Sequence, residues 1–318
     1  MRTSRLPASE AGTLTIDTLL DDIQHEILAT PGPVHDVLDR LVTSLESARS
    51  STPADVWELQ RQQLSSHPLV HLLHQDPFTR RCYYKPRGYA GDARMLDYIY
   101  GEADDDDSTA LGRRILSANV EAPAPRAVRF RKDLLAALID RTAARVSGAR
   151  VLAVACGHLR EARRSTALEA GTIAELIAFD QDSRSLAVVA RDFGHLHVRT
   201  EHGKIRDLIT GRRGARLTGF DLVYAAGLYD YLPESAACQL TQSLFDRLQP
   251  GGTLLIANFL PGIRDRGYME TFMDWCLIYR TLDEIRALTR DLPEGRFTSR
   301  AFTDPDSVIG FVEIVRAG

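Results

Sequence analysis

The sequence predicts an α/β protein: a seven-stranded, mostly parallel sheet with an antiparallel final strand, preceded by a helical N-terminal extension. Three observations carry this. From Arg150 onward short apolar runs alternate with helical segments, and strand–helix alternation builds parallel sheets through right-handed crossovers. Two extended runs close the chain, 297–302 and 308–315, joined by a turn at Asp304-Pro305-Asp306. They read as a hairpin, which brings antiparallel pairing into the sheet. Residues 1 to about 148 instead carry helical spacing broken by turns.

The expected division is therefore 1–148, a helical extension with a substrate lid, and 149–318, the sheet domain. A length of 318 residues fits two domains and buries a full core without staples. With 44% hydrophobic and 26% charged residues, the composition is that of an ordinary globular protein. It excludes disorder, collagen and a small disulfide scaffold. No apolar run approaches the roughly 18 residues of a membrane span. The opening MRTSRLPASEAGTLTID has no apolar h-region, so no secretory signal is expected. The four cysteines, Cys82, Cys156, Cys238 and Cys276, lack CxxC spacing. Neither zinc nor disulfides are expected, and the setting expected is a reduced, cytoplasmic one. A net charge of -4 argues against a broad nucleic-acid face. No repeat is visible, and nothing in the sequence speaks to oligomeric state.

In order, Ile16, Leu19, Leu20, Ile23 and Ile27 mark a first helix. Val34, Val37, Leu38, Leu41 and Leu45 mark a second, after Pro31-Gly32-Pro33. Pro53-Ala54-Asp55 opens a third, running toward Leu73. Residues 78–92 are aromatic and turn-rich. Asp104 to Asp107 with Ser108 reads as a solvated loop ending in a helix N-cap. A helix from Arg126 to Ala144 leads to the sheet. Strands are expected at 151–155, 173–179, 197–200, 220–224 and 253–258, and an aromatic helix at Tyr268–Arg280.

In open α/β sheets, ligands bind beyond the carboxyl ends of the strands where strand order reverses. The first strand ends in the small residues Ala155-Cys156-Gly157, which let a ligand approach the backbone. The second ends in Phe179-Asp180-Gln181-Asp182. Asp180 follows Gly157 by about 20 residues, the offset of a ribose-binding acid. His158, Leu159 and Arg160 stand where a dinucleotide pyrophosphate needs bare backbone. The loop suits a nucleoside with an amino-acid tail.

Residues 150–318 resemble class I S-adenosylmethionine-dependent methyltransferases, which have a Rossmann-like fold. Val151 to Gly157 resembles their first motif and Asp180 their ribose-binding acid. Gly219 to Tyr224 resembles their fourth strand, and Leu248-Gln249-Pro250-Gly251-Gly252-Thr253 their approach to the fifth. The strings Cys156 to Glu161, Pro86 to Asp92 and Tyr229-Asp230-Tyr231-Leu232-Pro233 are similar to a bacterial subgroup that includes proteins assigned to hydroxy-fatty-acid methyl ester synthesis. The resemblance implies S-adenosyl-L-methionine as cofactor. It would be held by Ala155, Cys156, Gly157, Asp180, Gln181, Ala226 and Tyr229, with Lys204 or Ile205 at the adenine edge. The sequence departs from the family pattern at Ala153, near a usually acidic position, and at Cys156 and His158, where Gly is usual.

Methyl transfer from a sulfonium is an in-line displacement, so the protein mainly orients and excludes water. A carboxylate acceptor needs no base, whereas a hydroxyl does. His158 is the candidate base, or else caps backbone. Tyr229 and Tyr231 either wall the sulfonium or pack under the next helix. Asn258 either bonds substrate or turns the chain. Arg87, in a lid at Pro86–Asp92 with Tyr84 and Tyr89, can fork onto a carboxylate. Arg160 is a second carboxylate candidate, unless it pairs with Glu161. Tyr268 and Trp275 either line an acceptor pocket or pack on the extension. His67, His71 and His74 read as a half-buried helix face, and no metal is expected.

The expected activity is methyl transfer to a small-molecule carboxylate or hydroxyl, natural-product or lipid-like. One alternative consumes the same cofactor by intramolecular displacement, giving azetidine-2-carboxylate and methylthioadenosine. Another is a non-catalytic nucleoside-binding module. A nucleic-acid methylase is disfavoured because Asn258-Phe259-Leu260-Pro261 does not match the Asn-Pro-Pro-Tyr amino-group motif.

Overall fold

A computed structural model describes residues 8–103, 108–211 and 217–318, with side chains from residue 16. The acidic run 104–107 lies outside the described residues. The chain forms two compact units, one of Met1–Arg126 with Gly262–Cys276, the other of Ala127–Pro261 with Leu277–Gly318. The first of these units thus takes in a later segment, Gly262–Cys276, besides its N-terminal residues. Among the described residues no helix is long and apolar enough to cross a membrane.

The first unit is helical. Helix α1 (Ala8–Ala29) buries Leu20, Ile23 and Ile27, and α2 (His35–Ser51) buries Leu38, Leu41 and Leu45, the expected apolar stripes. The expected third helix is two, α3 (Ala54–Leu64) and α4 (Leu69–Leu73). Pro68 between them lacks the N–H that a continuous helix requires. Helix α5 (Pro77–Tyr84) is capped by Asp76, and α6 (Ala93–Tyr100) by Asp92, which also holds Arg81 through two 2.8 Å bonds. Helix α7 (Ala110–Asn119) is capped by Thr109, one residue after the expected Ser108. The Thr109 hydroxyl accepts from Gly112 N–H. Helix α8 (Pro123–Arg145) then runs from the first unit into the second.

The second unit is a sheet of order β3-β2-β1-β4-β5-β7-β6. Its members are β1 (Ala149–Val154), β2 (Ile173–Asp180), β3 (Val198–His202), β4 (Phe220–Ala225), β5 (Leu248–Phe259), β6 (Phe297–Thr303) and β7 (Ile309–Arg316). The first five pair in parallel, with Ala153 beside Tyr224 and Tyr224 beside Leu255. Strand β7 runs antiparallel to β5 and to β6. Strands β1, β4 and β5 are almost wholly buried apolar runs, as a sheet covered on both faces demands. Helices α9 (Thr166–Glu169), α10 (Ser183–Phe193), α11 (Ile205–Ile209), α12 (Glu234–Phe245) and α14 (Leu282–Ala287) complete this unit. Strand order reverses between β1 and β4, which locates the expected ligand crevice at their carboxyl ends.

Two elements differ from expectation. Strand β5 begins at Leu248, not 253, passing through Pro250-Gly251-Gly252. Gly251 takes a φ of +76°, and a Cβ on Gly252 would stand 2.7 Å from the Phe220 carbonyl oxygen. The close approach of β5 to β4 therefore requires glycine. Gly252→Ala is expected to destabilise the fold by about 1–3 kcal/mol in chemical denaturation. The aromatic helix is short: α13 (Arg266–Phe272) belongs to the first unit. Beyond it, Ile278 N–H bonds the Asp230 carbonyl and Arg280 N–H the Phe259 carbonyl. These contacts replace the i−4 carbonyls that a helix to Arg280 would use.

Candidate functional site

The loop after β1 is unusual backbone. Ala155, Gly157 and Leu159 have φ of 52°, 55° and 51°. For Ala155 and Leu159, left-handed geometry costs roughly 1–2 kcal/mol each. Such strain concentrates at functional sites. The loop is tied to β2: Cys156 N–H donates to the Phe179 carbonyl at 3.2 Å and Gly157 N–H to Asp180 Oδ2 at 2.9 Å. It leads into a five-residue 3-10 helix, Arg160–Arg164.

Asp180 is 5% exposed, and its Oδ1 accepts from Asp182 N–H at 2.8 Å. Burial raises its carboxyl above the ordinary aspartate value. Its carbonyl accepts from Gly203 N–H, so β2 and the loop after β3 are joined at this point. There Gln181 and Lys204 are exposed and Ile205 is half-buried against the core. The structure thus brings Ala155, Cys156, Gly157, Asp180, Gln181, Lys204 and Ile205 together on the carboxyl ends of β1–β3. Ala226 is half-exposed after β4, the strand next to β1.

The other predicted residues divide. Tyr229 is fully buried in the core, its hydroxyl 2.9 Å from the Thr241 hydroxyl. Residues 229–231 form one 3-10 turn, which sends Tyr229 inward and leaves Tyr231 half-buried. Tyr229 is therefore packed beneath α12 and does not form a wall of the crevice. Asn258 is likewise internal: its amide donates to the Phe259 and Ile278 carbonyls, and its oxygen accepts from Arg280. Its polar groups fasten the chain, leaving no donor for substrate. Arg160 is buried and pairs with Asp192 of α10 at 2.9 Å, not with Glu161. His158 is buried beside it in the sequence.

Tyr84, Arg87, Tyr89, Tyr268 and Trp275 all belong to the helical unit. Tyr84 is exposed and edge-on to Tyr83, whereas Arg87 and Tyr89 are half-buried between α5 and α6. Trp275 is buried. The Tyr268 hydroxyl lies 3.2 Å from both Thr79 Oγ1 and Asn119 Nδ2, within a buried network around Asp76. That placement makes Tyr268 part of the helical core and not a pocket wall. His74 bonds the Phe272 carbonyl through Nε2. Among the described residues no group of His, Cys, Asp or Glu is arranged to hold a metal.

Four charged residues at the carboxyl ends of β1, β4 and β5 are missing from the sequence reading as site members. Arg131 of α8 donates from Nη1 to the Ala226 carbonyl at 2.6 Å. Its nitrogens would lie 3.6 Å from a Cβ on Gly227. The Tyr224 hydroxyl donates to Glu161 Oε1 at 2.8 Å, and burial raises the Glu161 carboxyl. Asp230 Oδ1 accepts from Phe259 N–H at 2.7 Å. Arg280 donates to the carbonyls of Tyr229 and Leu232 as well as to Asn258. One signal was present for Arg131. It interrupts the apolar stripe Ala127, Val128, Leu135, Leu138, Ile139.

Burial pushes the Asp230 carboxyl up to about 6. A raised folded-state value means the native state holds this proton more tightly than the unfolded chain. Its contribution to stability is therefore full at low pH and lost as pH rises toward about 6. Asp230→Asn keeps an acceptor for Phe259 but cannot ionise. Its stability relative to the parent protein should improve between pH 4 and 7, as read by urea denaturation at each pH.

No known family profile matches the chain, and no curated protein matches its sequence. Solved structures do. A possible exported protein from Bordetella parapertussis is 18% identical, with 99% of this chain and 100% of that one covered and a TM-score of 0.57. Looser likenesses include the N-methyltransferase NodS from Bradyrhizobium japonicum in complex with S-adenosyl-L-homocysteine. It is 15% identical, covers 71% of this chain and 100% of its own, and has a TM-score of 0.44. Magnesium protoporphyrin IX methyltransferase from Synechocystis, with the same molecule bound, is 11% identical, covers 70% and 92%, and has a TM-score of 0.46. At these identities the likeness concerns architecture.

Proposed function

We propose that the sheet unit binds S-adenosyl-L-methionine and transfers its methyl group to a carboxylate or hydroxyl of a small molecule. The observation that carries this reading is the meeting of the strained loop 155–159 with Asp180 where strand order reverses. Two features favour a nucleoside without phosphates. The loop lacks the bare glycines of a pyrophosphate site, and it enters a five-residue 3-10 turn instead of the long helix whose N-terminus binds phosphate.

The residues present fit such a group. Asp180 already accepts two backbone N–H bonds, and a carboxylate has further lone pairs for two ribose hydroxyls. The half-exposed Ala155, Cys156 and Gly157 let a ring or ribose lie against the chain, with Lys204 or Ile205 at the adenine edge. When bound, the cofactor supplies an electrophilic methyl on a sulfonium. The chain's task is to fix the direction of approach and keep water out. A carboxylate acceptor reacts as the anion, whereas for a hydroxyl His158 is the residue assigned to take the proton.

Mass spectrometry of products tests this. With S-adenosylmethionine alone the cofactor should persist. With a panel of hydroxy acids and carboxylic acids, S-adenosylhomocysteine and a methylated acceptor should form. Enzyme-dependent methylthioadenosine with a cyclised amino acid, and no acceptor needed, would replace methyl transfer by intramolecular displacement. Retention of cofactor without turnover on any acceptor would favour a binding module.

A further inference from the structure

The strained loop 155–159 is held at both of its ends, within the sheet unit. On the β1 side, Cys156 N–H bonds the Phe179 carbonyl and Gly157 N–H bonds Asp180. On the far side, Leu159 leads directly into the 3-10 turn Arg160–Arg164. That turn is fastened to α10 through one carboxylate. Asp192 Oδ2 accepts from Arg160 Nη1 at 2.9 Å and from Arg163 Nη2 at 3.2 Å, while its Oδ1 accepts from Arg191 Nε at 2.7 Å. Hydrogen bonds from Arg191, Arg160 and Arg163 outweigh burial and hold the Asp192 carboxyl well below the ordinary aspartate value. It is therefore a carboxylate at neutral pH.

The two ties from the turn are unequal. The side chains of Arg160 and Asp192 are 7% and 11% exposed, whereas that of Arg163 is 46% exposed. Water and salt screen an enclosed pair less than a surface one, so Arg160–Asp192 is the stronger tie. Left-handed backbone at a residue with a side chain persists only where its surroundings over-determine it. Leu159 has that backbone and Arg160 is its neighbour, so a fixed guanidinium at 160 fixes the exit of the loop. If Leu159 relaxed to ordinary φ, the chain on either side would turn away, and Gly157 N–H would lose its register with Asp180. Asp192 itself stands off from that point. The length of α10, 11 residues or about 16 Å, separates it from the Asp180 end of the helix.

We infer that Asp192 is a positioning residue for the cofactor loop, holding 155–159 in its binding-ready conformation through Arg160. The inference rests on the cofactor reading above. Titration of the full chain with S-adenosylhomocysteine, well below the midpoint of thermal unfolding, tests it. Asp192→Asn should bind about 10-fold more weakly, as when a tenth of the free protein holds the binding-ready loop. Asp192→Glu restores a carboxylate and should come within about 3-fold of the parent protein. Arg163→Met removes the exposed partner and should change affinity by no more than about 2-fold.

Amide hydrogen exchange separates positioning from general weakening. In Asp192→Asn without ligand, Cys156 and Gly157 should exchange about 10-fold faster, while Leu254 and Ile256 of β5 keep their parental rates. Saturating S-adenosylhomocysteine should restore the lost protection. Parental affinity in Asp192→Asn, or equal acceleration at Gly157 and in β5, would overturn the assignment. Arg160→Lys guards against a variant that fails to fold, because it keeps the charge beside Asp192 and loses only the rigid fork. It should bind at least about 3-fold more weakly, and parental affinity there would also overturn the assignment. If the parent protein binds S-adenosylhomocysteine and the variants bind it equally well, the positioning role fails and the cofactor reading stands. If the parent protein does not bind it, the cofactor reading fails and the positioning role falls with it.

Discussion

Asp180→Ala should lower affinity for S-adenosylhomocysteine by about 100-fold, the loss expected when two hydroxyl bonds to a buried carboxylate disappear at roughly 1.5 kcal/mol each. The same change leaves the N–H groups of Gly157 and Asp182 without their acceptors. Stability should therefore fall as well, by about 1–3 kcal/mol. The two effects separate experimentally, because titration well below the midpoint of thermal unfolding reads affinity on folded protein alone. Asp180→Asn can accept a bond but turns an amide hydrogen toward a backbone donor, and should lie between the two. Lost stability with unchanged affinity would mean that Asp180 only ties the loop.

Arg280→Met should destabilise the fold by about 3 kcal/mol or more. The guanidinium donates to the Tyr229 and Leu232 carbonyls and to Asn258 Oδ1. All three acceptors lie where β5 ends beside the turn after β4; the Tyr229 carbonyl keeps the Leu232 N–H, but the apolar replacement leaves the Leu232 carbonyl and Asn258 Oδ1 without their donor. Each costs about 1–3 kcal/mol when buried, with partial relief if water enters. The denaturation midpoint should drop with little change in its denaturant dependence, as for a native-state effect. A loss below 1 kcal/mol would mean that the turn 229–231 is held by Asp230 and the Tyr229–Thr241 contact instead.

Strands β1, β2, β4 and β7 were legible because each is a short, mostly apolar run, and Asp180 because its distance from Gly157 is set by one strand–helix–strand unit. Strand β5 began early because Pro250-Gly251-Gly252 reads as a turn in one dimension. Only the pressed contact between Gly252 and Phe220 shows why it is extended. The segment after Phe272 carries aromatic residues at helical spacing, but the N–H groups of Ile278 and Arg280 bond the Asp230 and Phe259 carbonyls. Tertiary partners of that kind leave no periodic trace. Tyr229, Asn258 and Tyr268 were candidates by residue type and neighbourhood, and each proved internal. Residue type cannot tell which side of a single 3-10 turn faces the core. Arg131 was overlooked for the opposite reason, since it lies on a helix before the first strand, far in sequence from every loop of the crevice.

The most direct test of the account is a titration of the whole chain with S-adenosyl-L-homocysteine, with NAD as the comparison ligand. One saturable site for S-adenosylhomocysteine and no measurable binding of NAD is the result expected from a crevice lacking a phosphate-binding helix. Saturable binding of NAD, or no binding of S-adenosylhomocysteine at millimolar concentration, would contradict it.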